Sequence, residues 1–377
     1  MKIALFDWTT GGHHSIYLKR FASTLCSRAD IVAAIPDEAA PALSGMPITI
    51  YSLGDARPHT DFGRPLPAQN RILAEDELDL FEKAARDISP DHLVHLYSDP
   101  IVRSLVRRKC LEVPVTLCIF FPRAHYPAAY GTPLSPKEKM RAWFLEYLIF
   151  RWKQRRDAHG LFALDEEAAR RWAIRGKVAV AWLPEPPING EHAVNDGERS
   201  GVAVYGAIAA RKGIHLLSDA IVRCKVRPLK VTLAGPVEHG FEKQFSDCVD
   251  KMRASGADLD MRLYTHTEKE GLQVLAKAQC AVLSYPKHYG MSRVLLEACS
   301  VNTPILAHNW GLLGYLVRNH GVGIAVDCTN PTLFSRAIET LCGEGSDYRV
   351  EAGAFELFTQ KFSVGSFDQA VRSVFRV

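Results

Sequence analysis

Residues Tyr285 to Pro304, Y-P-K-H-Y-G-M-S-R-V-L-L-E-A-C-S-V-N-T-P, have the types and spacing needed to hold a phosphate and a ribose. An apolar strand precedes this loop, and a helix is predicted to open near Gly290–Ser292. The first turn of a helix presents free backbone N–H groups and the positive end of the helix dipole, which attract phosphate. Arg293 adds a positive charge, and the carboxylate of Glu297 can accept hydrogen bonds from ribose hydroxyls. We therefore predict a cradle for a nucleoside diphosphate. The alternative is an ordinary strand–loop–helix unit whose helix is capped by Ser292.

A second candidate lies near the start of the chain, where T-T-G-G-H-H-S separates the first strand from the first helix. Glycines at such a turn let the backbone approach a ligand closely, so Gly11, Gly12 and His13 are candidates. A double-glycine turn is also common without any ligand. The turn therefore leaves both interpretations open.

Two series of strands and helices are predicted to position these residues. The first series has strands at residues 2–6, 31–35, 48–51, 92–97, 115–121, 160–164 and 178–182. The second has strands at residues 202–205, 230–234, 261–264, 281–284, 305–307 and 323–326. Helical patterns between the strands predict parallel sheets with helices on both faces, and the Pro-rich segment 183–190 reads as a hinge.

Length and composition restrict the class of protein. The chain has 377 residues, 47% of them hydrophobic, which suits two α/β domains. A net charge of +4 does not indicate a nucleic-acid partner, and no run of 18 apolar residues indicates a membrane span. The first residues read as a strand and not as a signal peptide. Nine scattered cysteines favour reduced thiols and a cytoplasmic location.

The segment G-M-S-R-V-L-L-E-A-C-S-V-N-T-P-I-L resembles the signature G-F-G-x-x-x-x-E-A-M-A-x-G-x-P-V-I of the retaining glycosyltransferases of family 4. Similarly, V-A-V-Y-G-A-I-A-A-R-K-G-I-H-L-L-S-D-A resembles the strand–loop–helix pattern G-R-L-x-x-x-K-G-x-x-x-L-x-x-A of that family. The resemblance implies the GT-B fold, an α/β architecture of two Rossmann-like domains facing across a cleft. We expect an acceptor-side domain at residues 1–187, a nucleotide-sugar-binding domain at 188–358, and a C-terminal helix at 359–377 that crosses back to the first domain.

The resemblance implies a hexosyltransferase-like enzyme that needs neither a metal nor a cofactor and moves a sugar from a nucleotide sugar to a sugar, a lipid-linked or a small-molecule acceptor. Lys212 falls on the lysine that contacts the donor diphosphate in the family, Glu297 falls on the glutamate that binds ribose, and Arg211 stands beside Lys212. The complete set of implied donor-binding residues is Gly11, Gly12, Arg211, Lys212, Gly235, Tyr289, Gly290, Met291, Ser292, Arg293 and Glu297. Lys212 and, as a weak substitute for a family histidine, His125 are the catalytic candidates, and His95 ends a strand where ligands gather.

Two positions depart from the family pattern. Tyr289 stands where the family has a glutamate that contacts the transferred sugar, and Ala207 stands where it has an arginine. Two alternatives therefore remain beside glycosyl transfer: a nucleotide-sugar epimerase of the same fold, and a non-catalytic or partner-dependent protein that binds a sugar nucleotide. The donor sugar, the base, the acceptor and the oligomeric state are left open.

The segment from Pro136 to Gly160 combines aromatic and basic residues. From Ser135 to Gly160, seven Lys and Arg stand against three acidic residues, and a helical stripe contains Met140, Trp143, Phe144, Tyr147 and Leu148. A basic helix with aromatic residues can lie on an anionic membrane. We favour a core helix with a solvated basic end, because the following R-D-A-H-G-L-F-A-L-D resembles the family's passage from helix to strand. Peripheral membrane contact is thus the less favoured interpretation.

Overall fold

A computed structural model describes residues 1–9, 14–56, 68–121, 134–174, 176–186 and 198–375 of the chain. The chain forms two compact units. The first contains the described residues up to 186 together with residues 364–375, and the second contains residues 198–363. The last helix therefore belongs to the first unit.

Strands β1 to β7 belong to the first unit, at Lys2–Phe6, Asp30–Ile35, Thr49–Ser52, His92–His95, Val115–Ile119, Ala158–Ala163 and Ala179–Trp182. Strands β8 to β13 belong to the second unit, at Val202–Tyr205, Lys230–Ala234, Asp258–Arg262, Cys280–Leu283, Ile305–His308 and Gly323–Val326. Most strands follow the sequence prediction within a residue or two. β10 begins at Asp258 and ends at Arg262, whereas residues 261–264 were expected.

Helices α1 to α5 are His14–Leu25, Ala68–Ile88, Val102–Leu105, Pro136–Lys153 and Glu166–Ala173. Helices α6 to α12 are Ile214–Arg223, Glu242–Ala254, Glu268–Ala276, Arg293–Ser300, Gly311–His320, Pro331–Cys342 and Ala354–Lys361. The last helix, α13, is Val364–Phe375. Its apolar residues Phe367, Val371, Val374 and Phe375 are buried.

Both sheets are parallel wherever the described strands pair. The first sheet has the order β3-β2-β1-β4-β5-β6-β7, and the second has the order β10-β9-β8-β11-β12-β13. The central strands β8 and β11 are apolar and almost entirely buried, as expected for parallel strands covered by helices on both faces. This burial fixes the ends of these strands, and hence the loops that follow them.

Each unit has its own apolar core. In the first, Phe21 makes edge-to-face contacts with Phe162 at 5.5 Å and with Phe367 at 5.4 Å between ring centroids. In the second, the core includes Val231 from β9 and Phe334 from α11. None of the described helices combines the length and apolar composition that a bilayer span requires.

Helix α4 departs from the prediction of a core helix. Leu148, Ile149 and Trp152 are buried as expected. The other face of the helix is exposed, and it carries the large apolar residues Met140, Trp143, Phe144, Tyr147 and Phe150. The sequence could not show which of two apolar faces the fold covers.

Candidate functional site

The second sheet has a topological switch point at the carboxyl ends of β8 and β11. These strands are neighbours, but the chain continues from β8 to β9 on one side and from β11 to β12 on the other. The loops after the two strands therefore diverge, and ligands of parallel α/β sheets gather at such a point. Lys212 follows β8 and Glu297 follows β11. The two residues with the strongest sequence signals thus flank this point.

Lys212 is held in the loop after β8 by backbone groups. It ends a short 3₁₀ helix, Ala210–Lys212, and its Nζ donates a hydrogen bond to the carbonyl oxygen of Tyr205. A Cβ atom at Gly206 would lie 2.9 Å from this Nζ, and Gly206 has a φ of +81°. Because Gly206 has no side chain, there is room for the ammonium of Lys212. This role of Gly206 was not predicted from the sequence.

Ser284 joins the loops that follow β8 and β11. Its hydroxyl donates a hydrogen bond to the carbonyl oxygen of Lys212 at 2.9 Å. Gly213 has a φ of +69°, and a Cβ atom there would lie 2.3 Å from the carbonyl oxygen of Ser284. The family-like pair Lys212-Gly213 thus has a physical reason, because only glycine admits this close approach.

The charge of Lys212 is poorly solvated. The residue is 8% exposed, and burial first, then the positive charge of Arg211, lowers its pKa to about 7. The negative charges of Glu297 and Glu238 act in the opposite direction. A bound diphosphate would add further negative charge beside Lys212, and it would raise this pKa.

Helix α9 brings Glu297 to the same region. Glu297 is 8% exposed, and its Oε1 lies 3.4 Å from Nε of Arg293, one helical turn before it. Nη2 of Arg293 also lies 3.4 Å from Oε1 of Glu268 on α8. Two carboxylates contact Arg293, which therefore helps to orient Glu297. The contact of Arg293 with the donor stays a prediction. Glu268 was not recognised in the sequence.

Tyr205, at the end of β8, lies close enough to these carboxylates for their charges to affect its pKa. Its pKa is raised to about 12 by burial and then by the negative charges of Glu297 and Glu268. The end of β8 and the first turns of α8 and α9 therefore share one electrostatic environment.

Ser292 occupies the N-cap position of α9, as predicted, but its side chain makes no capping hydrogen bond. Its hydroxyl is instead hydrogen bonded to the phenol of Tyr285, which partly offsets the burial that raises the pKa of Tyr285 to about 12. The expected cap is wrong in this respect. The N–H groups at this helix end are not satisfied by the Ser292 side chain, which is the arrangement a phosphate would use.

Arg211 lies in the loop but does not point to the same place as Lys212. Its Nη1 donates to Oε1 of Glu238 at 2.8 Å, and both side chains are about half exposed. Arg211 therefore forms an ion pair with Glu238 at the surface, whereas the ammonium of Lys212 is buried.

The loop between β11 and α9 is ordered by aromatic and imidazole contacts. Tyr289 packs edge-to-face on Trp310, with 4.9 Å between ring centroids. Nε2 of His288 donates to the carbonyl oxygen of Met291 at 3.3 Å. Burial first, and then the positive charges of Arg211 and Lys212, lower the pKa of His288 to about 4, so His288 is neutral at pH 7. Gly290 and Ser292 of this loop are buried.

Gly235, which follows β9, completes the candidate set in this unit. Its φ is +139°, and a Cβ atom there would lie 2.5 Å from the carbonyl oxygen of Gly206. The two glycines bring the backbones after β8 and β9 together. The predicted contact of Gly235 with the donor stays a prediction.

The first unit places a separate polar pair at the equivalent point of its sheet, between β1 and β4. Nδ1 of His14 lies 2.8 Å from Oδ2 of Asp7, and the His14 ring contacts the ring of Tyr97 at 5.1 Å. A carboxylate that orients an imidazole makes it a competent proton acceptor. His13, and not His14, was predicted from the sequence, although Asp7 directly follows the first strand.

Three candidates, Gly11, Gly12 and His125, lie outside the described residues, as does His13. His95 ends β4 as predicted but is completely buried, with Phe6 and Phe81 packed on its ring. It is a core residue and not a ligand contact. Among the described residues, no group of three or more His, Cys, Asp or Glu is placed to hold a metal ion.

Comparison with known families adds to this geometry. Residues 191–352 match the sequence model of the family described as Glycosyl transferases group 1. The chain carries a group 1 glycosyltransferase domain. The resemblance predicted from residues 290–306 is thus confirmed, and the chain is assigned to an enzyme class. The comparison with curated protein sequences found no match.

Solved structures of glycosyltransferases share the fold along the whole chain. Anabaena HepE, solved in complex with UDP-glucose, is 14% identical, with 100% of this chain and 99% of that chain covered and a TM-score of 0.67. Sucrose-phosphate synthase from Thermosynechococcus elongatus is 14% identical, with 100% and 98% covered and a TM-score of 0.66. A lipopolysaccharide outer core galactosyltransferase is 12% identical, with 100% and 99% covered and a TM-score of 0.64. The predicted α/β fold of the GT-B type is therefore confirmed.

Proposed function

We propose that the glycosyltransferase domain binds a nucleotide sugar at the carboxyl ends of β8 and β11 and that the protein transfers the sugar to an acceptor. The observation that carries this proposal is the buried ammonium of Lys212, whose pKa is lowered to about 7 at the point where ligands of such sheets bind. Burial of a charged side chain destabilises a fold, and an anionic ligand bound beside Lys212 would offset that cost.

Lys212 contacts the donor diphosphate in this proposal, and Glu297 accepts hydrogen bonds from the ribose. In the reaction, the bond from C1 of the sugar to the diphosphate oxygen breaks, and its electron pair stays on that oxygen. The acceptor oxygen forms the new bond to C1, and its proton passes to the departing diphosphate oxygen. Lys212 and the N–H groups at the start of α9 stabilise the charge that grows on the leaving phosphate.

The finer features of the reaction follow from the resemblance and are part of the proposal. They are retention of configuration at C1 and transfer without a metal or cofactor, since fixed cations and dipoles can stabilise the diphosphate by themselves. UDP-sugars are the first donors to examine, because Anabaena HepE was solved with UDP-glucose. We place the reaction in the cytoplasm, in glycan biosynthesis; the nine free cysteines support a reducing compartment.

A melting screen with UDP-, GDP-, ADP- and TDP-sugars tests the donor site, because a ligand of the folded state raises its apparent stability. We expect one nucleotide series to raise the Tm of the wild type and to raise it much less in Lys212→Ala and Glu297→Ala. Lys243→Ala, which changes an exposed lysine of the same unit, is the control. A shift that is equal in all four proteins would place the nucleotide elsewhere.

Turnover with the same donors separates transfer from simple binding. Release of the nucleoside diphosphate that depends on an added sugar, lipid-linked or small-molecule acceptor supports glycosyl transfer. Epimerised or hydrolysed donor without an acceptor would support the epimerase alternative. Binding without any conversion across an acceptor panel would support the non-catalytic alternative, for which Tyr289 and Ala207 are the sequence argument.

A further inference from the structure

Helix α4 has two apolar faces, and the fold covers only one of them. Leu148, Ile149 and Trp152 pack into the first unit. On the opposite side, Met140, Trp143, Phe144 and Tyr147 follow the spacing i, i+3, i+4 and i+7, which places them on one stripe. Met140 is 64% exposed, Trp143 is 68% exposed, and Phe150 extends the stripe at 59%. Large contiguous apolar surfaces of this kind mark interaction sites.

Basic side chains border this stripe. Helix α4 contains five Lys and Arg and two Glu. Lys137, Lys139 and Arg141 are exposed in its first half, and Arg151 is exposed near its end. Arg103 from α3 extends over the ring of Phe144, with 5.6 Å from its Cζ to the ring centroid. The surface therefore combines aromatic rings at its centre with cations at its edges.

The two acidic residues of α4 do not offset these charges at the exposed face. Glu138 is buried, where its carboxylate accepts from the backbone N–H and the hydroxyl of Ser135 in a capping box. Glu146 accepts a hydrogen bond from Nε1 of Trp172 at 3.1 Å and is partly buried. The fold thus turns both carboxylates away from the stripe and leaves a positively charged rim.

We propose that this face of α4, defined by Met140, Trp143, Phe144, Tyr147 and Phe150, docks on the surface of an anionic lipid bilayer. Aromatic and thioether side chains partition into the headgroup region, and the surrounding Lys and Arg are attracted to acidic lipids. The length and charge of α4 fit a helix that lies on the membrane. This reverses the core-helix interpretation of the sequence, and it is independent of the proposed donor site.

Co-sedimentation with vesicles tests the proposal on the full chain. Vesicles of phosphatidylglycerol and phosphatidylcholine are expected to bind the protein at physiological salt, and vesicles of phosphatidylcholine alone are expected to bind it much less. Trp143→Ser/Phe144→Ser is expected to lower the partition coefficient by about tenfold or more, because two large apolar side chains no longer enter the interface. Lys139→Glu and Arg141→Glu are each expected to lower it roughly fivefold or more.

Matched controls exclude general effects of the substitutions. Leu357→Ser removes a large apolar side chain that is 67% exposed on α12, and Lys243→Glu reverses an exposed charge on α7. Both are expected to bind vesicles like the wild type. All variants change exposed side chains, so equal Tm values will show that they fold.

Two results would overturn the proposal. The first is equal binding of the wild type and the double variant to anionic vesicles. The second is a wild type that stays in the supernatant with anionic vesicles. If that wild type is a dimer in analytical ultracentrifugation and Trp143→Ser/Phe144→Ser is a monomer, the face is an interface between two copies of this chain.

Discussion

Replacement of Lys212 by methionine is predicted to stabilise the folded protein while removing its nucleotide affinity. The pKa of Lys212 is lowered from 10.5 to about 7, chiefly by burial, so the protonated side chain is disfavoured in the folded state. At 1.36 kcal/mol per pH unit, this shift corresponds to a cost of about 5 kcal/mol below pH 7. Methionine fills a similar volume without the charge but loses the hydrogen bond to the carbonyl oxygen of Tyr205, worth about 1–3 kcal/mol. At pH 6 we expect a gain of about 2–4 kcal/mol in the free energy of unfolding.

The pH dependence of this gain has a definite sign. Below pH 7, Lys212 is protonated in both the folded and the unfolded protein, and the full cost is present. Between pH 7 and 10.5 the unfolded state binds the extra proton, so the stability of the wild type rises with pH. The advantage of Lys212→Met should therefore shrink by roughly 2.3 kcal/mol between pH 7 and pH 9, since Lys212 is half protonated in the folded state at pH 7.

Urea denaturation at pH 6, 7, 8 and 9, followed by circular dichroism, measures this difference. Lys243→Met, at an exposed position, is the control and should run parallel to the wild type throughout. Parallel curves for Lys212→Met and the wild type from pH 6 to pH 9 would refute the buried-cation argument. So would a methionine variant that is less stable than the wild type at pH 6.

Three further predictions concern the same loops. Glu297→Ala should weaken binding of the nucleoside diphosphate by roughly 1.5–3 kcal/mol, and Glu297→Gln by less, as measured by calorimetry. An equal loss of affinity in Glu268→Ala would show that orientation of Arg293, and not the ribose contact, is responsible. Tyr289→Glu should raise the ratio of kcat/KM for a hexose donor to kcat/KM for a deoxyhexose donor. The control Tyr289→Phe keeps the contact with Trp310 and should leave this ratio near that of the wild type. An unchanged ratio in Tyr289→Glu would show that Tyr289 does not select the donor. Gly213→Ala should lower the free energy of unfolding by more than about 1 kcal/mol, because φ is +69° and the carbonyl oxygen of Ser284 lies in the way; a Tm equal to that of the wild type would contradict this.

The strands were largely predictable from the sequence, because buried parallel strands are short apolar runs between turn residues. Val202–Tyr205 and Lys230–Ala234 have the predicted bounds. β10 was misplaced, since D-L-D-M-R mixes charged and apolar residues at the edge of the sheet. An edge strand has fewer neighbours to enforce an apolar pattern.

The candidate site was predictable where a residue type follows directly from a role. A lysine before a glycine and a glutamate inside a helix were such cases, at Lys212 and Glu297. The partners of these residues were not, because they come from distant segments. Glu268 reaches Arg293 from another helix, and Gly206 makes room for Lys212 only because the loop folds back on the strand. Contacts between distant segments cannot be inferred from the spacing of residues within one segment.

Proton uptake on binding tests the central claim, that Lys212 contacts the donor diphosphate, most directly. The titrant is the nucleoside diphosphate that gives the largest melting shift, measured by calorimetry at pH 8 in two buffers of different ionisation enthalpy. With a pKa of about 7, Lys212 is mostly neutral in the free protein at pH 8 and becomes charged against the phosphate. We expect uptake of about 0.9 proton per ligand in the wild type. We also expect binding without uptake in Lys212→Arg, whose charge does not titrate. Binding by the wild type without proton uptake, or uptake that persists in Lys212→Arg, would contradict the claim.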